Sequence, residues 1–291
     1  MKGAFSRCHP VVNLIYFLFV MGVGMTMLHP AFLGMGFLGA LVFFSMQKGK
    51  RRLHMLGYLA LTMGFAAVLS PLFNHEGATV LGYFLGGNPL TAESIWNGAA
   101  GALMLGTTVL WFSCWNGVMT SDKVLYLFGR LWPAFSMVIS TILRFFPCFM
   151  RRLNQVRLAW QDTKRKNLMG RIKDGLRQFS MMITWSMEHA VETGDVMRAR
   201  GYGLPKRTSF SNFFWTLRDK LLLGAELLLG SVVLAGIVMG RFSFHFYPTV
   251  WMREITAETV CVLAAYGVFC LLPAWVGMME ELQWLQSKSK I

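Results

Sequence analysis

The stretch that decides the fold runs from His29 to Pro71, "HPAFLGMGFLGALVFFSMQKGKRRLHMLGYLALTMGFAAVLSP". Two apolar runs, 31 to 46 and 54 to 72, flank four cations, Lys48, Lys50, Arg51 and Arg52. About 17 to 25 apolar residues let a helix cross roughly 30 Å of hydrocarbon. A basic loop between two such runs marks the side on which both emerge as the cytoplasmic one. His29-Pro30 places a polar side chain, then a residue without a backbone N–H, ahead of the first run, so a tight helical hairpin is expected at that junction.

Working outward, further apolar runs lie near 12 to 28, 96 to 118, 221 to 240 and 257 to 277. The 291 residues are 55% hydrophobic and only 14% charged, with 24 Phe, 21 Met and 10 Trp, which is the balance of a membrane protein and not of a soluble domain. The run from Val11 is followed by more spans, with no small-residue cleavage site around Met25 to His29, and reads as a retained helix instead of a signal peptide. The five cysteines include no Cys-x-x-Cys pair, and Cys114, Cys148, Cys261 and Cys270 sit within apolar runs. They read as small buried hydrophobes, with neither a disulfide framework nor a zinc site suggested.

Of the 28 Lys and Arg, 26 fall before the first run, at 48 to 52, between Lys123 and Lys220, or at Lys288 and Lys290. The other side keeps Arg241 and Arg253, and the stretch from Leu53 to Asp122 has no cation while carrying Glu76 and Glu93. This asymmetry places both termini and the 119 to 220 region in the cytoplasm. That needs an even number of crossings, so 31 to 46 counts as a span. The expected fold is an all-α polytopic membrane protein of about six transmembrane helices, with a cytoplasmic helical module inserted before the last two. Its parts are N-terminal transmembrane helices in 1–119, a cytoplasmic module in 120–206 and C-terminal transmembrane helices in 207–291. The formal charge of +14 follows from topology. No basic-and-aromatic reader motif calls for nucleic acid.

The insert is informative because a plain carrier would join its spans by short loops. "KVLYLFGR" from Lys123 is amphipathic, and "LWPAFSMVISTILRFFP" reads as an apolar helix bounded by Pro133 and Pro147, dipping into the bilayer or packing beneath it. After Pro147, a helix would put Phe149, Leu153, Val156, Trp160 and Thr163 on one face. A second amphipathic helix is expected from Asp174 or Leu176 to Arg200, with Phe179, Met182, Ile183, Ser186, Ala190 and Met197 as its stripe. Gly201, Gly203 and Pro205 are stop signals. Each helix ends in a basic triplet, Lys164-Arg165-Lys166 and Arg198-Ala199-Arg200-Gly201. Cations there complement the helix dipole and attract anionic membrane lipid. Alternatively, Arg165 and Arg200 are plugs for a soluble partner, planar forks suited to bidentate contact with carboxylates, with Ala199 and Gly201 keeping their surroundings small.

"ETGDVMRARGYG" resembles the signature closing the second coupling helix in the transmembrane T component of energy-coupling factor (ECF) transporters. "HPVVNLIYFLF" at 9 to 19, "NPLTAESIWNGAAGALML" at 88 to 105 and the stretch from Val138 to Asn167 resemble that family in the same order. The resemblance covers most of 9 to 206. It implies two coupling helices crossing in an X, with the Arg of a three-residue motif at each tip seated in a groove of one ATP-binding-cassette ATPase. It assigns Lys164, Arg165 and Lys166 to the first motif and Ala199, Arg200 and Gly201 to the second. The first departs from the family in having Lys on both sides of Arg165, where small residues are usual; this hints at two non-identical ATPases. The implied partners are two ATPase subunits, the same or different, and a substrate-binding membrane S component, with membrane lipid around them. ATP and magnesium would be bound by the ATPases, no cofactor by this chain. The implied setting is a bacterial or archaeal cytoplasmic membrane, and the implied role is uptake of a vitamin or transition-metal ion. The S-component surface should be apolar and adaptable, which suits the methionines of the insert, among them Met137, Met150, Met181, Met182 and Met187.

Two other classes compete. A membrane enzyme would look to Glu188, His189, Glu192 and Asp195, where His189 and Glu192 share a helix face, but there is no His-Glu-x-x-His motif. No Gly-x-Ser-x-Gly elbow or phosphate-binding Gly-x-x-x-x-Gly-Lys-Ser/Thr loop is present either, so the chain is expected to be non-catalytic. A stand-alone permease would need an ionisable group facing a cavity within the spans. Glu226 is the clearest candidate, with His54 near a helix end, and Glu226 lies close enough to the cytoplasmic side to snorkel or to pair with Arg218 or Lys220.

Overall fold

The computed structural model describes residues 4–47, 52–74, 77–83, 89–160, 168–202, 204, 213–240, 242, 244–245, 251–252 and 256–288. The chain divides into two compact units, one of Met1–Val124 with Phe213–Ile291 and one of Leu125–Asn212.

The first unit is built from α1 (Pro10–Thr26), α2 (Pro30–Met46), α3 (Arg52–Phe73), α4 (Ala92–Val118), α8 (Leu217–Val238) and α9 (Ala257–Lys288), preceded by a 3₁₀ turn at Ala4–Arg7. These six helices coincide with the six apolar runs. Among the described residues, α3, α4, α8 and α9 are long and apolar enough to cross a membrane, while α1 and α2 are apolar but shorter at 17 residues each. At 1.5 Å per residue those two reach about 26 Å. Two short antiparallel hairpins, β1 (Val80–Tyr83) with β2 (Pro89–Thr91) and β3 (Phe244–His245) with β4 (Trp251–Met252), occupy loops. The chain is thus an all-α, multi-pass membrane protein with minor loop strands.

Around the core, α1 packs on α4 and α8, α2 on α4 and α9, and α8 on α9, so five helices close a ring; α3 packs on α4. Lipid is as apolar as leucine, so this ring is held by close packing instead of water exclusion. Aromatic rings fill the centre. Tyr16 stacks on Phe269 at 5.1 Å, Phe17 meets Trp111 edge-on at 6.2 Å, and Phe5 of the 3₁₀ turn meets Tyr16 at 5.2 Å. Tyr16 also donates its hydroxyl to the Cys270 carbonyl at 3.1 Å, which satisfies a polar atom in a dry environment. Small residues let helices approach closely. A methyl added at Gly39 would sit 2.6 Å from Cys270 Cβ, and one at Gly98 would sit 2.7 Å from the Ala67 carbonyl oxygen.

The His29-Pro30 junction is the tight turn its sequence implies, and His9-Pro10 repeats its chemistry. Pro30 and Pro10 each occupy the first helical turn, where their missing N–H is harmless. His29 Nδ1 accepts from the Ala31 amide and His9 Nδ1 from the Val11 amide, both at 3.3 Å. An imidazole accepts at Nδ1 only while that nitrogen is unprotonated. Burial holds both histidines below their ordinary range, and for His9 the nearby Asp219 opposes burial while Lys123 reinforces it. With the folded-state value depressed, the unfolded chain binds more protons below about pH 6.5, so stability is constant above that pH and declines as pH falls through it. A fluorescence melt in detergent should show the midpoint dropping between pH 7 and pH 5. In the His9→Asn, His29→Asn double variant, whose caps do not titrate there, the drop should be smaller. An unchanged pH profile in that variant would sink this account.

Where the sequence placed the start of a span at 96, α4 begins at Ala92. Thr91 caps it, accepting from the Ser94 amide at 3.4 Å, and Glu93 lies inside the first turn, accepting from the Thr79 hydroxyl at 2.9 Å. Hydropathy misses this turn because its residues are polar, although threonine is a favoured N-cap residue. Of the cysteines, Cys8, Cys114 and Cys270 are buried, Cys148 is half-buried and Cys261 is exposed.

The second unit holds α6 (Pro133–Ala159) and α7 (Leu168–Ala199), with α5 (Ser121–Leu131) leading into it from the first unit. Pro147 does not divide this region into two helices as expected: α6 runs straight through it. Proline removes one ladder hydrogen bond, and α3 and α9 tolerate internal prolines, Pro71 and Pro273, in the same way. Ala134–Ala159 of α6 is itself long and apolar enough to cross a membrane. The face expected after Pro147 is present: Phe149, Leu153, Val156 and Trp160 are all half-buried, while Thr163 lies outside the described residues. The second helix starts at Leu168, ahead of the expected Asp174 or Leu176. Its stripe is also displaced. Met182 is buried and Ser186 and Met197 are half-buried, but Phe179, Ile183 and Ala190 are exposed. The covered face runs instead through Gly170, Asp174, Gln178, Met182, Trp185, His189 and Thr193, because α6 covers only part of a wide apolar arc.

Candidate functional site

The helix end at "MRARGYG" is built by hydrogen bonds that identify a specific C-terminal motif. The Tyr202 amide donates to the Met197 carbonyl at 3.0 Å and the Gly201 amide to the Arg198 carbonyl at 2.9 Å. This 6→1 and 5→2 pair is a Schellman closure, whose residue after the cap must be left-handed. Gly201 has φ +72°, a left-handed conformation that favours glycine, and the nearest atom to a Cβ there would be the terminal Leu204 Cδ1 at 3.0 Å. Arg200 is the cap residue. Its amide still donates to the Val196 carbonyl at 3.1 Å, and its side chain is exposed beside an exposed Ala199. The closure turns the chain away just beyond Arg200, which leaves a permanently charged, planar donor group at the tip of a 32-residue helix. The other triplet, Lys164-Arg165-Lys166, lies outside the described residues.

Behind this tip, α6 and α7 meet through an aromatic stack that sequence reading did not anticipate. Phe145 of α6 stacks on Trp185 at 5.7 Å and on His189 at 5.7 Å, and Trp185 stacks on His189 at 5.3 Å. The Arg152 guanidinium lies 6.0 Å from the Trp185 ring centre, within cation–π range. The i, i+4 spacing of Trp185 and His189 was a legible signal, since such pairs share a helix face. His189 Nδ1 is 3.9 Å from Glu192 Oε2, a loose pairing at the edge of the stack. Of the four side chains that a metal site would draw on, His189 packs against the Phe145 and Trp185 rings, while Glu188, Glu192 and Asp195 are exposed. Among the described residues, no three His, Cys, Asp or Glu side chains converge as metal ligands.

Large apolar side chains remain uncovered on the same unit. Ile172, Leu176, Phe179, Ile183 and Met187 follow one another at helical spacing along α7, with Leu176 at 61% and Met187 at 68% exposure. Of the methionines singled out, Met137, Met150, Met181 and Met187 are exposed, and Met182 is buried.

Glu226 departs from expectation. It neither snorkels nor pairs with Arg218 or Lys220: its residue is 2% exposed, and its Oε2 has no hydrogen-bond partner. The reason is orientation, since α8 turns Arg218 and Lys220 outward and Glu226 inward. His54 at the start of α3 is exposed.

The class of protein these features define is an all-α membrane protein with several membrane-crossing helices and a separate unit of long amphipathic helices. No family model matches the chain, and no curated protein matches it in sequence.

Proposed function

We propose that the chain is the transmembrane scaffold subunit of an ECF-type importer, coupling ATP hydrolysis by partner ATPases to reorientation of a substrate-binding membrane subunit during uptake of a micronutrient. In this reading the six helices of the first unit span the membrane, the Leu125–Asn212 unit lies at its cytoplasmic face, and the chain performs no bond chemistry. One observation carries it: the Schellman-closed end of α7 exposes Arg200 between Ala199 and Gly201. A cation serving only the helix dipole needs no such presentation. A planar fork seated in a carboxylate-lined groove does, because bidentate pairing demands a fixed approach. The long, rigid helices behind the tip suit a lever, and the uncovered apolar residues of α7 suit a partner that slides and repacks.

The test is affinity capture of the tagged chain from detergent-solubilised membranes of its native host, with identification and ATPase assay of what co-purifies. Wild type should bring down ATP-binding-cassette subunits. Arg200→Ala should reduce the captured ATPase about tenfold, as loss of a charge-assisted bidentate contact implies, and Arg165→Ala with Arg200→Ala should abolish it. Gly201→Val should weaken capture by straining the closure at about 1–2 kcal/mol. If no such ATPase co-purifies, or the double variant captures as much as wild type, the proposal fails.

A further inference from the structure

We infer that the segment from Phe5 to Asn13 is a clamp that holds together the two chain segments by which residues 125–212 leave and rejoin the first unit, with Lys123 and Asp219 as its positioning residues. The outgoing segment ends at Lys123. Lys123 is 5% exposed, and its ammonium donates to the Ser6 carbonyl at 2.6 Å. With the Asn13 amide oriented so that both of its atoms are satisfied, Lys123 also donates to Asn13 Oδ1 at 2.7 Å, and Asn13 Nδ2 donates to the Phe5 carbonyl at 3.1 Å. The returning segment ends at Asp219, which is 4% exposed. One of its oxygens closes the α8 capping box, accepting from the Thr216 amide at 3.0 Å and hydroxyl at 2.7 Å. The other oxygen accepts from the His9 amide at 3.0 Å, and the His9 ring stacks on Trp215 at 3.9 Å.

Two oppositely charged, buried side chains from opposite ends of an insert thus bind the same short segment, at residues 6 and 9. The segment is itself fixed, because Phe5 is wedged among Tyr16, Phe17 and Phe43, and Arg7 pairs with Glu280 at 3.0 Å. A capping box alone would need only one carboxylate oxygen. The second oxygen, turned to a residue 210 positions away, serves the clamp. Since Lys123 and Asp219 act through one ordered strip of backbone, releasing either should loosen the other. This inference concerns the chain by itself and stands whether or not the importer reading is correct.

Hydrogen–deuterium exchange on the full-length chain in detergent tests it, using Lys123→Met, Asp219→Asn and His9→Pro. The last removes the amide donor while suiting a backbone already at φ −55°, and keeps the test open should a charge variant lose its monodisperse fold. Each variant should raise exchange about tenfold in both segments, residues 119–127 and 213–219, although the hydrogen bonds described above that each one alters reach only one of them. A purely local role would raise exchange only beside the altered contact. That result, or no change, in a variant that remains monodisperse would overturn the clamp.

Discussion

Gly98→Val should leave α3 unable to pack on α4 and cost about 3 kcal/mol or more, read as loss of monodisperse protein or as a sharp drop in melting temperature in detergent. Any Cβ at position 98 would lie 2.7 Å from the Ala67 carbonyl oxygen, 3.1 Å from Ser70 Cβ and 3.2 Å from Pro71 Cδ. The first of these is backbone of a helix and cannot swing aside, so the helices must separate. Separation is costly in a bilayer, where close van der Waals contact is the main attraction between helices. Gly101 supplies the control. It lies on the same helix with nothing within 4 Å of its would-be Cβ, so Gly101→Ala should be neutral or stabilising by up to about 1 kcal/mol. If the valine variant melts with the alanine control, this packing account is wrong.

The second large effect is expected at Glu226. Glu226→Lys should abolish accumulation of folded protein, because a buried charge without a compensating partner costs about 3–5 kcal/mol. Glu226→Gln keeps the shape and a polar end group and should fold as wild type. This pair also separates the scaffold reading from a stand-alone permease, which a membrane-embedded carboxyl otherwise favours. In proteoliposomes holding the complete complex, Glu226→Gln should leave coupled uptake within about twofold of wild type. A well-folded Glu226→Gln protein that has lost uptake would move the translocation site into this chain and displace the scaffold proposal.

Part of the candidate site is legible in the sequence. Gly201 after a basic helix end is a stop signal in any sequence, and the Schellman closure is what such a glycine builds. The face of Phe149, Leu153, Val156 and Trp160 followed from spacing alone. Less legible was the region on either side. Pro147 reads as a boundary by local chemistry, yet α6 continues, since one lost hydrogen bond is tolerable inside a long helix. Along α7, periodicity located an apolar arc but not which half of it α6 covers. The stack of Phe145, Trp185 and His189 needs both helices at once, so only half of it was visible in either.

The sequence by itself determined that this is an all-α multi-pass membrane protein, because hydrocarbon leaves the backbone no hydrogen-bonding partner but itself and makes long apolar runs diagnostic. It also determined where those runs lie and that a long helix ends at Arg200 and Gly201. Only the tertiary structure decided the ring order of the helices, the inward turn of Glu226 and the meeting of Lys123, His9 and Asp219 around one short segment. The physical reason is that lipid and protein core are equally apolar, so hydropathy along a membrane helix does not mark which face meets protein. Polar groups distant in the chain, in turn, declare their partners only when packing brings them together.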